Sequence, residues 1–80
     1  MDQKTQNEAL NKYIKQLFEG SSWKERAIAA QSIGNLREAR ATNLLARALQ
    51  SENDPVVINR IIEAMGEIRD AKATMLIINF

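Results

Sequence analysis

The stretch GNLREARATNLL, residues 34–45, returns as GEIRDAKATMLI at residues 66–77. Gly34 and Gly66 are 32 residues apart, and Arg, Ala, Thr and Leu recur at matching places in the two copies. Self-similarity at this period indicates a repeat architecture, in which each unit buries its apolar face only by stacking on its neighbours. We therefore expect a chain built by stacking helical units, with no single central core.

Apolar residues recur at helical spacing along the chain, and three capping signals predict where helices begin. In each case a hydroxyl or carboxylate stands before an apolar run, where it can accept hydrogen bonds from the free N–H groups of the first turn. One of them is followed by proline at the first helical position, where no N–H is needed. The predicted starts are Thr5 with Glu8, Ser22 with Glu25, and Asp54 with Pro55.

The breaks between helices are predicted from glycine and acidic residues. Gly20 is the expected left-handed residue that ends the first helix. Residues 35–38 are predicted as a turn and residues 39–50 as the third helix. Asp70 is the expected cap of a fifth helix that begins at Ala71.

The apolar stripe of each helix predicts the core. The first helix aligns with the third at an offset of 31 residues, one fewer than the 32 residues of the main repeat. In this alignment the apolar residues of the two helices fall at the same positions. The stripes are Leu10, Tyr13, Ile14, Leu17 and Phe18 in the first helix, Ala41, Leu44, Leu45, Ala48 and Leu49 in the third, and Val57, Ile61, Ile62, Met65 and Ile68 in the fourth.

These signals predict an all-α superhelix, or solenoid, of about two and a half helical hairpins with five helices in one domain, residues 1–80. Residues 1–20 are a lone helix of the second type in a pair, residues 21–50 are the first repeat, and residues 51–80 are the second repeat, whose last helix is cut short. Gly34 and Gly66 each cost about 1 kcal/mol of helix propensity relative to alanine, which indicates that helices pack closely at both. A phosphate loop is the poorer interpretation, since no Gly-Lys-Ser/Thr follows.

Residues 22–80 resemble a known family. They resemble HEAT-like repeats of the short type found in phycobilisome-lyase relatives and in many bacterial and archaeal proteins. The pattern of these repeats is an aromatic residue at a helix start, then Arg, a run of alanines, an apolar residue with Gly, an acidic residue, and finally Ala and Leu. The second copy departs from the pattern, with Ile58 at the Arg position. The matching residues are Trp23, Arg26, Ala27, Ala29, Ala30, Ile33, Gly34, Glu38, Ala41, Leu44 and Leu45.

Composition excludes most catalytic chemistry. The chain has no Cys and no His, which removes disulfides, thiol nucleophiles, imidazole bases and the usual zinc sites. Its formal net charge of +1 is unlike that of a histone-like polycation or an acidic disordered tail. We therefore expect no enzyme activity, no catalytic residue, no cofactor and no metal site.

The outer surface of the second-type helices is the predicted binding surface, because repeat proteins bind along the curve that such helices form. Laying the repeats over one another places basic and amide side chains there and no acid in the same rows. The function predicted is that of a non-enzymatic protein-interaction scaffold that binds a partner, with an acidic segment as the suggested ligand. The expected contact residues are Lys12, Arg40, Asn43, Arg47 and Lys72.

The carboxyl-terminal stretch MLIINF suggests a second contact. Terminal repeats normally have a polar outer face, and this stretch has none. Either the chain is part of a longer array, or a partner or a second copy covers this end. Homo-oligomerisation through Met75, Ile78 and Phe80 is the prediction for the second case.

Two other functional classes stay open from the sequence. The resemblance implies an accessory subunit of an enzyme, such as a lyase-like chromophore protein, as one alternative. A weak nucleic-acid binder is the other, disfavoured because the basic surface has few charges and no aromatic residue for base stacking. No apolar run is long enough for a membrane helix and the first residues are too polar for a signal peptide, so the expected location is cytoplasmic, without a membrane partner.

Overall fold

A computed structural model of the chain describes the backbone of residues 3–78 and the side chains of residues 4–71. Over that range it contains four α-helices, one short 3-10 helix and no strand, which confirms the all-α prediction. The elements are α1 (Gln3–Glu19), α2 (Trp23–Leu36), the 3-10 helix (Ala39–Ala41), α3 (Thr42–Ser51) and α4 (Pro55–Ile78).

Two of the three predicted helix starts are confirmed by their hydrogen bonds. The Ser22 hydroxyl accepts from the backbone N–H of Glu25 at 3.2 Å, and the Glu25 carboxylate accepts from the N–H of Ser21 at 3.0 Å. At the start of α4, the Asp54 carboxylate accepts from the N–H of Val56 at 2.9 Å. Both caps satisfy N–H groups that the first turn of a helix leaves free.

Two predictions at the ends of α1 are wrong. The helix is already formed at Gln3, so Thr5 lies inside it and does not cap it. Gly20 follows the helix, but no glycine has a positive φ. Its small size matters for another reason, because a Cβ at Gly20 would lie 2.5 Å from the carbonyl oxygen of Gln16.

The predicted fifth helix is also wrong, because α4 continues without a break from Pro55 to Ile78 and Asp70 lies inside it. The matching turn after α2 does form, with Arg37 in the left-handed conformation at φ 54°. Gln6 near the start of α1 donates to Glu38 and so holds that first turn. α3 begins only at Thr42 and is shorter than α1, so it offers no comparable turn of helix to stabilise a second break.

The four helices form two hairpins, α1 with α2 and α3 with α4, each joined by a three-residue loop that makes the helices antiparallel. The hairpins stack chiefly through α2 against α4, with α1 and α3 on the outer side. Phe18 and Ile62 were expected in the core but are 41% and 52% exposed. The buried core comprises Leu10, Leu17, Ala27, Ala29, Ala30, Ile33, Ala41, Leu45, Ala48, Val57, Ile61, Ala64 and Ile68.

The closest approach between the hairpins lies at Gly34 of α2. A Cβ built on Gly34 would be 2.8 Å from both the Cα and the Cβ of Ala64 in α4, which is shorter than real Cβ contacts allow. Gly34 therefore has the packing role predicted for it. Gly66 does not, since a Cβ there would meet nothing within 4 Å.

A partly buried ion pair joins the two hairpins at their loop end. The Arg26 guanidinium donates to both carboxylate oxygens of Glu52, at 2.9 and 3.2 Å, and to the carbonyl oxygen of Gly20 at 3.0 Å. The side chain of Glu52 is only 8% exposed, and its carboxylate also accepts from the N–H groups of Asn53 and Asp54. Arg26 of α2 thus contacts the loop between α1 and α2 through Gly20 and the loop between α3 and α4 through Glu52.

The two helical glycines make a matched pair for mutation. In Gly34→Ala, the overpacking cost of about 1–3 kcal/mol is expected to exceed the gain in helix propensity of about 1 kcal/mol, so the free energy of unfolding falls. In Gly66→Ala only the gain remains, so the free energy of unfolding rises by up to about 1 kcal/mol. Urea unfolding followed by circular dichroism measures both, and equal effects of the two substitutions would contradict the assigned contact.

Arg26→Met is expected to lower the free energy of unfolding by about 1.5–3 kcal/mol, because hydrogen bonds to a charged, largely buried partner are lost. The control is Arg60→Met, which removes the exposed pair of Arg60 with Glu63 at 3.3 Å and is expected to cost less than about 0.5 kcal/mol. The same urea unfolding experiment compares them. A cost for Arg26→Met no larger than that of the control would show that the buried pair does not hold the hairpins together.

Candidate protein-binding surface

The outer face of α3 carries two of the predicted contact residues, Asn43 and Arg47. Leu45 and Ala48 are buried against the rest of the protein, and Ala41 just before the helix is buried as well. The 3.6-residue period then directs Arg47 and Asn43 outwards, and both side chains are exposed. α3 itself contains no acidic residue.

Arg40, in the 3-10 helix before α3, is exposed but already has partners in the chain. Its guanidinium donates to the side-chain oxygen of Asn7 in α1 and lies 3.6 Å from the Glu38 carboxylate. The side chain of Arg40 remains 45% exposed. A guanidinium has five N–H donors, so these contacts orient Arg40 and leave donors for a ligand.

A groove of about 290 Å³ runs between α1 and α3 beside Arg40. Half-buried Ile14 and Leu44 contribute apolar surface, and Asn7 and Asn11 contribute amides. The sequence prediction missed both asparagines. Their separation of four residues, which places them on one side of α1, is the signal that was available. The groove is lined by Asn7, Leu10, Asn11, Ile14, Arg40 and Leu44.

Of the predicted contact residues whose side chains are described, Arg40 lines this groove, whereas Asn43, Arg47 and Lys12 do not. Lys12 is exposed, but it lines a separate, more open cleft together with Glu19 of α1 and Glu25 of α2. The side chain of Lys72 lies outside the described residues. The side chains of the proposed self-association residues Met75, Ile78 and Phe80 also lie outside the described part of the chain.

The described side chains include no group of three or more His, Cys, Asp or Glu residues placed to hold a metal ion. No helix in the described part of the chain is both long enough and apolar enough to cross a membrane. The residues of this surface offer hydrogen bonding by amides, charge pairing by arginine and a small amount of apolar contact.

Comparison with known protein families identifies the repeats. The family model for HEAT repeats matches residues 10–78, which is most of the chain, and the chain belongs to this family. HEAT repeats are generally scaffolds for protein interactions and are typically non-enzymatic. Comparison with curated proteins and with solved structures finds no match.

Proposed function

We propose that the protein is a non-enzymatic scaffold that binds an acidic, extended segment of a partner protein along the outer surface of α1 and α3. The observation that carries the proposal is the exposed polar surface of Arg40, Asn43 and Arg47, of which Arg40 also lines the groove between α1 and α3. An acidic ligand fits because the charged residues in α3 and in the 3-10 helix before it are both arginines, Arg47 and Arg40.

The groove suits a peptide backbone as well as acidic side chains. An asparagine amide both donates and accepts hydrogen bonds, so Asn11 in the groove and Asn43 on the exposed face of α3 can pair with the N–H and C=O groups of an extended chain. An arginine can bind a carboxylate through two parallel hydrogen bonds. Leu44 and Ile14 provide the apolar contact from which anchoring affinity usually comes.

The exposed arginines are expected to act mainly on the approach of the partner. Charges at the rim of an interface steer association and discriminate between partners, while their contribution to affinity is screened by water and salt. Arg40 differs from Arg47 because Asn7 and Glu38 hold its guanidinium in place. Binding by a side chain that is already oriented loses less conformational entropy.

Several finer assignments belong to the same proposal. Lys12 and Lys72 extend the basic surface, and Met75, Ile78 and Phe80 form a further contact for a second copy. We also propose that the repeats are of the short type of the phycobilisome-lyase relatives, on the pattern of matching residues from Trp23 to Leu45, and that the protein is cytoplasmic. The accessory-subunit alternative predicts visible absorbance of the purified protein.

The test is a selection of peptides from a displayed random library with the purified chain as bait. We expect the selected peptides to be rich in Asp and Glu, and their dissociation constants are then measured by fluorescence polarisation. The double variant Arg40→Glu/Arg47→Glu is expected to weaken binding at least tenfold, or about 1.4 kcal/mol, because like charges now face the ligand.

The matched control is Lys24→Glu/Arg60→Glu, which makes the same change in net charge on α2 and α4, away from the groove. Control and wild-type chain should bind equally well. Equal binding by the groove variant would place the site elsewhere. A random-sequence oligonucleotide that binds the chain, with affinity falling steeply between two salt concentrations, would favour the nucleic-acid alternative.

A further inference from the structure

A cleft of about 530 Å³ lies between the two hairpins at their loop end. Its walls come from the last turns of α1 and α3 and from the loop and first residue of α4, with Arg26 of α2 between them. Because both hairpins contribute to its walls, the cleft is formed between the two repeats and not at an end of the stack. The side chain of Phe18, which is 41% exposed, lines it.

The cleft and the groove that contains Arg40 lie along one seam between α1 and α3. Ile14 of α1 lines the groove together with Leu44 of α3, and Leu17 lines the cleft together with Ala48. These residues are three or four positions apart on each helix, so they lie on one side of it. α1 and α3 therefore run side by side in the same direction, with the cleft at the ends of both.

The two parts of this seam carry opposite charge. Arg40 is the charged residue that lines the groove, whereas Arg26, Glu52 and Asp54 line the cleft. The Arg26 guanidinium donates to both oxygens of the Glu52 carboxylate, so these two charges balance each other. The net charge of the cleft is therefore the negative charge of Asp54.

Asp54 can bind a cation and still cap α4. The N–H groups of Val56 and Val57 both donate to the same carboxylate oxygen, Oδ1, at 2.9 and 3.4 Å. A carboxylate accepts hydrogen bonds through both of its oxygens. The second oxygen, Oδ2, can thus accept from an ammonium or guanidinium group while the cap stays in place.

The helix ends and the aromatic ring favour a cation at the same place. The C-terminus of a helix carries a partial negative charge, and neither α1 nor α3 has a basic residue in its last turn. The exposed ring of Phe18 provides apolar surface and attracts a cation through its π electrons. Lysine and arginine side chains combine a charge with an apolar stem, so they match both features.

We propose that the cleft binds a lysine or arginine side chain of the same partner segment whose carboxylate binds Arg40, an inference that rests on the proposed function. Asn11 in the groove and Phe18 at the cleft are seven residues apart on α1, which is about 10 Å of helix. An extended peptide covers that distance in about three residues, and the reach of its side chains widens the spacing to about three to five. The opposite charges along the seam also set the direction in which the segment lies.

Peptides selected from the displayed library are the probe. We expect them to carry Lys or Arg about three to five residues from an Asp or Glu. A selected peptide and its counterpart with Gln in place of the basic residue are then compared by fluorescence polarisation. The counterpart should bind the wild-type chain about fivefold more weakly, because it loses an exposed ion pair and a cation–π contact.

The cleft variant is Asp54→Asn/Phe18→Leu, which removes the charge and the aromatic ring. Asparagine caps helices as well as aspartate does, and leucine keeps an apolar side chain, so circular dichroism should show a folded chain. This variant should bind the basic peptide about fivefold more weakly than the wild-type chain does, and should bind the Gln counterpart as the wild-type chain does.

The matched control is Glu63→Gln/Trp23→Leu. It also removes one carboxylate charge and one exposed aromatic ring, from residues that do not line the cleft. The control should bind both peptides like the wild-type chain. A loss in the control equal to that in the cleft variant would overturn the cation site, because the effect would then be one of overall charge.

Failure of the cation site is distinct from failure of the proposed function. Acidic peptides that depend on Arg40 and Arg47 but carry no basic residue at this spacing overturn the cation site alone. So does equal binding of the two peptides, or a cleft variant that weakens both of them equally or neither. Peptides that respond to the cleft variant and not to Arg40→Glu/Arg47→Glu overturn the acidic groove and the spacing. A selection that yields no binding peptide overturns both proposals.

Discussion

The packing of Gly34 in α2 against Ala64 in α4 is the constraint on which the rest of the structure depends. There is no room for a Cβ on Gly34, so the two helices lie as close as their backbones allow at this point. This approach buries Ala30 and Ile33 of α2 within the stack. Close packing is how a small chain with few large core residues obtains enough dispersion and burial to be stable. At the loop end, the pair of Arg26 with Glu52 joins the same two hairpins by charge and hydrogen bonds.

This stacking separates two kinds of surface. The outer helices α1 and α3 need only one apolar side, so their other sides carry Asn11, Asn43 and Arg47, which suit a polar partner. The inner helices α2 and α4 pack closely against each other, and Ile62, two residues before the closely packed Ala64 of α4, is left exposed. A repeat architecture accounts for both surfaces without any catalytic group.

The two copies of the repeat show where similar sequences adopt different structures. Arg37 takes the left-handed conformation and ends α2, whereas Arg69 at the matching place lies inside the continuous helix α4. Local residue preferences are nearly the same at both places, so they do not account for the difference. The first turn is held by contacts of Glu38 and Arg40 with α1, which begins well before the corresponding point of α3. A second turn near Arg69 would need matching contacts with the start of α3, and α3 begins too late in the chain to make them.

The sequence by itself determined the helical class, the repeat, the caps at Ser22 and Asp54, and the outward direction of Asn43 and Arg47. These features depend on neighbours within a few residues, through helical periodicity and hydrogen bonds to the first turn. Only the tertiary structure decided that Gly34 is closely packed while Gly66 is open, that α4 does not break, and that Asn7 orients Arg40. Each of these depends on residues about thirty positions apart, whose contacts follow from how the hairpins stack.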